Sequence, residues 1–185
     1  HVNPLTVVLF VVPITHLVRK LRPVTSIGIA LLISPLAALP VAFAPWLGTA
    51  NLDMGLFTVH PVIFMLIIGI IFQALAECFL SPRYLEYASK QAPQGEIGLY
   101  MGYSHLSSAF SWAFAFFLSG ELLEKWCPDP KIVAEMPPEL AATAYDHAHY
   151  IWFVYAGIGM AAFIALLIFR TVTDQIDKKK AAAAQ

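Results

Sequence analysis

The chain has 185 residues, of which 59% are hydrophobic and 12% are charged. Soluble domains average about 45–50% apolar and about 25% charged residues, so this composition argues against both a soluble enzyme and a disordered chain. The net charge of -1 provides no basic footprint for nucleic acid. The two cysteines, Cys78 and Cys127, support neither a disulfide framework nor a metal cluster.

Five apolar blocks have the character of membrane spans, which need about 20 helical residues each. They predict helices over residues of about 3–18, 24–47, 61–91, 97–120 and 149–170. The first block is short and starts at the beginning of the chain without a Met, so we expect further sequence upstream. We predict an all-α, polytopic membrane protein with a bundle over residues 1–172 and a basic cytoplasmic tail over 173–185.

Basic residues lie mainly after the first, third and fifth blocks. Because loops rich in Lys and Arg stay in the cytoplasm, this pattern places the C-terminus there and predicts a multi-pass protein of the cell (inner) membrane. Lys178 to Lys180 have two interpretations, a topology anchor or a contact with lipid headgroups. The loop of 121–146 on the opposite side holds six acidic residues and two basic ones.

Glu77 is the one acidic residue inside an apolar block, because the third block ends at Leu80 and its helix is predicted to continue to about residue 91 as a polar extension. Burying a carboxylate there costs on the order of 2.5–3.5 kcal/mol, which makes it a candidate functional residue. Gln73, Ser81 and Tyr84 share its helix face, so we predict a polar stripe lining a cavity. The alternative is a structural Glu that fixes helix packing, although no basic residue within a span is available to neutralise it.

A second polar stripe runs along one face of the fourth block. Tyr100, Ser104 and Ser108 lie within an arc of about 100° together with Ser107 and Ser111. Small residues also allow helices to approach closely, so these side chains line either a cavity or a packing contact. His105 lies at the edge of the stripe, and its side-chain type makes it a candidate proton carrier or a hydrogen-bonded structural residue.

The sequence holds none of the motifs typical of hydrolytic or nucleotide chemistry. It has no glycine-rich phosphate loop, no His-Glu-x-x-His and no paired carboxylates within a span. An intramembrane enzyme would need a second catalytic group, for which only His105 is available. We therefore predict no enzymatic activity, no cofactor and no metal.

Several short motifs resemble the proton-dependent oligopeptide transporters, a branch of the major facilitator superfamily. Asn3 to Leu5 with Pro13 is similar to that family's eighth helix, and Ala76 to Pro82 resembles the Glu-x-x-x-Ser-Pro element of its tenth. Lys90 to Pro93 and the Met101-Gly102 pair resemble the opening of its eleventh helix. The resemblance covers nearly the whole chain, as helices eight to twelve of twelve.

This resemblance implies that Glu77 and Ser81 face a central cavity and meet the amino terminus of a peptide. It implies most of a C-terminal six-helix bundle, with a missing N-terminal bundle or other membrane subunits as partners. The chain departs from the family at 103–105, where Tyr-Ser-His replaces the usual Trp. We expect proton-coupled uptake of a small solute such as a dipeptide or tripeptide. The alternative is a transporter-derived structural subunit of a larger membrane complex, without transport activity.

Overall fold

The computed structural model describes residues 2–48, 50–55 and 58–183, which form mainly α-helices. Several helices begin with proline. The first amide hydrogens of a helix have no intrahelical acceptor, so a proline, which has no amide hydrogen, loses no hydrogen bond at that position. The helices are α1 (Val2–Val18), α2 (Pro23–Phe43), α3 (Pro61–Gln91), α4 (Ile97–Trp126), α5 (Pro130–Ala134), α6 (Pro138–Thr143) and α7 (Tyr150–Ala183).

The connection between α2 and α3 holds the other regular structure. A short 3₁₀ helix, Ala44–Leu47, extends α2, and two antiparallel strands follow, β1 (Leu52–Asp53) and β2 (Thr58–Val59). The predicted second block ended at residue 47, so it combined α2 with this 3₁₀ helix. The hairpin was not predicted, because each strand has two residues, too few for a periodic pattern.

Four helical segments of the described chain are long and apolar enough to cross a membrane: Pro23–Leu47, Pro61–Gln91, Ile97–Ala134 and Tyr150–Ile176. The apolar α1 has 17 residues, a length of about 25 Å, below the roughly 30 Å of a hydrocarbon core. The coarse prediction of an all-α, multi-pass membrane protein is therefore supported. Of the five predicted spans, four have spanning length and α1 is shorter.

Helix boundaries agree best with the prediction at α3, which covers 61–91 as expected. α4 continues past the predicted end at residue 120 to Trp126, and α7 continues past residue 170 to Ala183. The predicted tail of 173–185 is therefore helical as far as Ala183. The Lys, Gln and Ala residues of that tail are good helix formers, and it contains neither Gly nor Pro to stop the helix.

α3 lies at the centre of the bundle, packed between α1 and α2. A Cβ atom built on Gly69 would lie 2.4 Å from the carbonyl oxygen of Ala37, so α2 and α3 approach closely only because Gly69 has no side chain. Ser26 of α2 donates a hydrogen bond of 3.1 Å to the carbonyl oxygen of Phe79. These contacts hold α3 in one register against α2.

The remaining helices surround this pair. α1 packs Ile14 and Val18 against Cys78 of α3, and α7 packs Gly159 against Pro35 of α2. α4 touches the bundle along its side, and its buried residues are Ser104 and Leu122. Most of the other residues of α4, including most of its aromatic rings, are exposed.

Candidate functional site

Glu77 lies on an exposed face of α3, in the second half of the helix. Gln73 and Ser81, one turn to either side, are exposed as well. Glu77 and Ser81 line a cavity of about 230 Å³, whose opposite wall is formed by Val7 and Val11 of α1. Of the predicted stripe, Glu77 and Ser81 line this cavity, whereas Gln73 and Tyr84 do not. The exposed side chain of Glu77 is reachable from outside the chain.

Within the described residues, Glu77 forms neither a salt bridge nor a side-chain hydrogen bond. The two basic residues of α3 both bind Glu86 instead: Nη1 of Arg83 contacts its Oε2, and Nζ of Lys90 lies 2.6 Å from its Oε1. The helix therefore separates an ion-paired cluster near its end, with two cations on one carboxylate, from a single unpaired carboxylate at Glu77. A charge in this position interacts favourably with a proton or with a cationic group that enters the cavity.

Arg83 is a buried residue that sequence reasoning placed only among the basic residues at the end of a span. Its exposed fraction is 7%, and its Nε and Nη2 atoms have no hydrogen-bond partner within the described chain. The spacing of three residues between Arg83 and Glu86 is the signal that would have revealed the pairing. The burial of Arg83 follows from helix packing, which its own sequence neighbourhood does not reveal.

The two polar stripes meet at Tyr84. Its hydroxyl lies 2.8 Å from the Oγ of Ser107 and donates a longer hydrogen bond of 3.4 Å to the carbonyl oxygen of Ser104. Ser104 is buried, and its own hydroxyl donates to the carbonyl oxygen of Met101. This part of the α4 stripe is therefore a packing contact, the second of the two interpretations drawn from the sequence.

The other candidate residues of α4 lie apart from that contact. Ser108 and His105 are exposed, and Tyr100 is half-buried with its ring 6.3 Å from the ring of Tyr103. None of the three lines the cavity beside Glu77. The structure thus brings Glu77 and Ser81 together, links Tyr84 to Ser107, and leaves Ser108 and His105 on an open surface.

A larger cavity of about 660 Å³ lies at the opposite end of the spans, where α2 and α4 end and α7 begins. Its walls are mostly apolar, with Asp146 and His149 as the principal polar groups, and its volume is within the range of small-molecule sites. Trp46 packs edge-on against His149 beside it, with ring centres 5.6 Å apart. Sequence reasoning missed this cavity because its lining comes from separate segments between residues 41 and 155.

Among the described residues, no group of three or more His, Cys, Asp or Glu side chains is placed to hold a metal ion. Glu77 and Ser81 bring a carboxylate and a hydroxyl to their cavity, and these groups bind protons and hydrogen-bond donors. Comparison with protein-family models, curated proteins and solved structures found no match for this chain.

Proposed function

We propose that this chain is the C-terminal part of a proton-coupled secondary transporter of the major facilitator superfamily. The observation that carries the proposal is Glu77: an exposed carboxylate without a counter-charge among the described residues, on a helix apolar enough to span a membrane. A purely structural Glu would be expected to have a partner, since an unpaired charge at membrane depth is costly.

In the proposed mechanism, the two charge states of Glu77 favour different states of the carrier. A protonated side chain is neutral and tolerates a closed, apolar environment, whereas the ionised form binds the ammonium group of a substrate. The hydroxyl of Ser81, on the same cavity wall, accepts a further hydrogen bond from that group. Because proton and substrate bind the two access states unequally, one gradient drives the other.

The substrate class in this proposal is a small solute with an ammonium group, such as a dipeptide or tripeptide. Support comes from the resemblance of Ala76 to Pro82 to the Glu-x-x-x-Ser-Pro element of the oligopeptide transporters. The open face of α3 at Glu77 is where an N-terminal bundle would complete the cavity. His105 and Ser108 are exposed on α4, so in this proposal they meet that bundle and not the cavity next to α1.

The decisive experiment is proton-driven uptake of a labelled dipeptide by the full protein in liposomes, with and without Glu77→Gln. Glutamine has nearly the same shape but no exchangeable charge, so we expect uptake driven by a pH gradient to fall at least about tenfold, the effect of about 1.4 kcal/mol. Glu96→Gln is the matched control, because Glu96 is exposed and lies outside the cavity. Unchanged coupling and affinity in Glu77→Gln would remove this residue from the mechanism.

One observation favours the alternative of a structural subunit in a larger membrane complex. α4 exposes the rings of Trp112, Phe116 and Phe117 over a long stretch, which suits a helix that packs against other subunits. The two functions require encoded proteins of different length. A transporter needs roughly 400–500 encoded residues with twelve spans, whereas a short gene whose product co-purifies with other membrane proteins supports the structural function.

A further inference from the structure

A small charged cavity lies at the end of the bundle where α2 begins and α3 ends, beside α7. Its volume is about 190 Å³, below the range of about 300–1,000 Å³ typical of sites for drug-sized ligands. Its size therefore suits a small polar group. Its lining includes Arg22, Tyr87, Phe169, Arg170 and Asp174.

Its charged side chains are not neutralised by one another. Arg22 and Arg170 provide two guanidinium groups and Asp174 one carboxylate, yet the salt bridges of the described residues involve none of the three. Arg170 and Asp174 are one turn apart on α7, a spacing at which an ion pair often forms. The cavity thus presents free donors for an anion next to a free acceptor for a cation.

This arrangement matches a ligand that carries a phosphate and an ammonium group together. Guanidinium groups bind phosphate oxygens through paired hydrogen bonds, and Tyr87, which also lines the cavity, carries a hydroxyl that is a further donor. The carboxylate of Asp174 would repel a ligand that is only anionic, but it accepts hydrogen bonds from a primary ammonium. A quaternary ammonium has no hydrogen to donate, so choline would be bound less well than ethanolamine.

The surroundings of the cavity point to a lipid as the source of these groups. Phe169 lines it and is also exposed, and Val172 and Ile176 extend the same helix as further exposed apolar residues. This surface is placed to contact acyl chains while the headgroup occupies the cavity. Basic cavities between membrane helices are known headgroup sites.

We propose that this cavity binds the headgroup of an ethanolamine phospholipid, with Arg22 and Arg170 on the phosphate and Asp174 on the ammonium. The site is independent of Glu77 and of any transport activity, since it depends only on the chain lying in a membrane. It also differs from Lys178 and Lys179, which follow the cavity residues along α7 and do not line the cavity.

The test uses the full protein, delipidated in detergent and titrated with phosphatidylethanolamine, phosphatidylcholine or phosphatidylglycerol, with bound lipid counted by native mass spectrometry. We expect the ethanolamine lipid to bind best. Replacing both arginines by glutamine should weaken its binding about thirtyfold, the effect of about 1 kcal/mol for each charge. Asp174→Asn should retain the phosphate contact but abolish the preference for ethanolamine over glycerol headgroups.

Controls separate this site from general charge attraction and from free phosphate. Lys178→Gln with Lys179→Gln also removes two positive charges, from the part of α7 outside the cavity, and should leave binding unchanged. Equal binding of the three lipids, an equal loss in this control, or full competition by inorganic phosphate would overturn the proposal. A thermal melting curve recorded without lipid shows whether each variant folds. If the variant without both arginines does not fold, the change in lipid preference of Asp174→Asn tests the proposal by itself.

Discussion

α3 and α4 have nearly equal lengths, 31 and 30 residues, and both are mainly apolar, yet they pack in opposite ways. α3 is covered on two sides, with Gly69, Ala74 and Cys78 buried against its neighbours. α4 touches the bundle at few points and exposes large aromatic rings. Apolar composition alone therefore does not determine which helix lies inside.

The difference follows from side-chain size. Lipid tails are as apolar as a helix surface, so helices in a membrane associate through close packing and hydrogen bonds rather than through the hydrophobic effect. α3 offers small residues at its contacts, whereas the α4 contact depends on the Tyr84 hydroxyl and the serines it meets. Steric fit should therefore control the interface between α2 and α3, whereas a few polar groups should control the interface between α3 and α4.

The largest effect on packing should come from the closest approach of α2 and α3. In Gly69→Ala, the new methyl group would lie 2.4 Å from a backbone oxygen, so the helices must separate, and we expect a loss of about 1–3 kcal/mol of stability. Thermal melting of the purified protein in detergent measures this loss. Gly157→Ala is the matched control, because nothing lies within 4 Å of its Cβ position; an equal loss there would contradict the steric explanation.

A smaller effect is expected at the contact between α3 and α4. Tyr84→Phe removes the hydroxyl that reaches Ser107 and should cost about 0.5–1.5 kcal/mol of stability. Tyr103→Phe, on an exposed ring of α4, provides the control. If the two hydroxyls act as a pair, Ser107→Ala combined with Tyr84→Phe should cost less than the sum of the single changes. Additive losses would show that the contact contributes little.

The sequence predicted the features that depend on local pattern. The bounds of α3 and the shared face of Gln73, Glu77 and Ser81 follow from hydropathy and from the helical repeat, and both agree with the structure. It did not predict the burial of Arg83 or the division of the α4 serines between packing and exposure. Those features depend on how helices cross, and a single helix's sequence does not specify its neighbours.

The two cavities at the ends of the helices show the same limit. The cavity beside Asp146 and the one beside Arg22 draw their walls from helix ends that are far apart in sequence. No local motif marks such a site. Glu77 was found because one carboxylate in an apolar span is conspicuous by itself, while its nearest wall, formed by Val7 and Val11, became evident only from the packing of α1 on α3.

The smallest effect should occur on the uncovered side of α4. Trp112 has an exposed fraction of 78%, so Trp112→Leu should change stability by no more than about 0.5 kcal/mol when lipid alone contacts it. Leu122→Ala is the comparison on the same helix, because Leu122 is 8% exposed and its loss should cost about 2 kcal/mol or more. Both changes are measured by melting of the full protein in lipid nanodiscs.

Fluorescence quenching by brominated lipids adds a readout of what covers Trp112 itself. A ring in contact with acyl chains is quenched, whereas a ring packed under another helix is protected. Because the protein has four Trp residues, the contribution of this ring is the difference between the parent and Trp112→Leu. If the Trp112 ring is protected from quenching and its replacement causes a large loss of stability, α4 is an interface for another part of the protein or for a partner. The difference in packing between α3 and α4 would then hold for this segment of chain and not for the assembled protein.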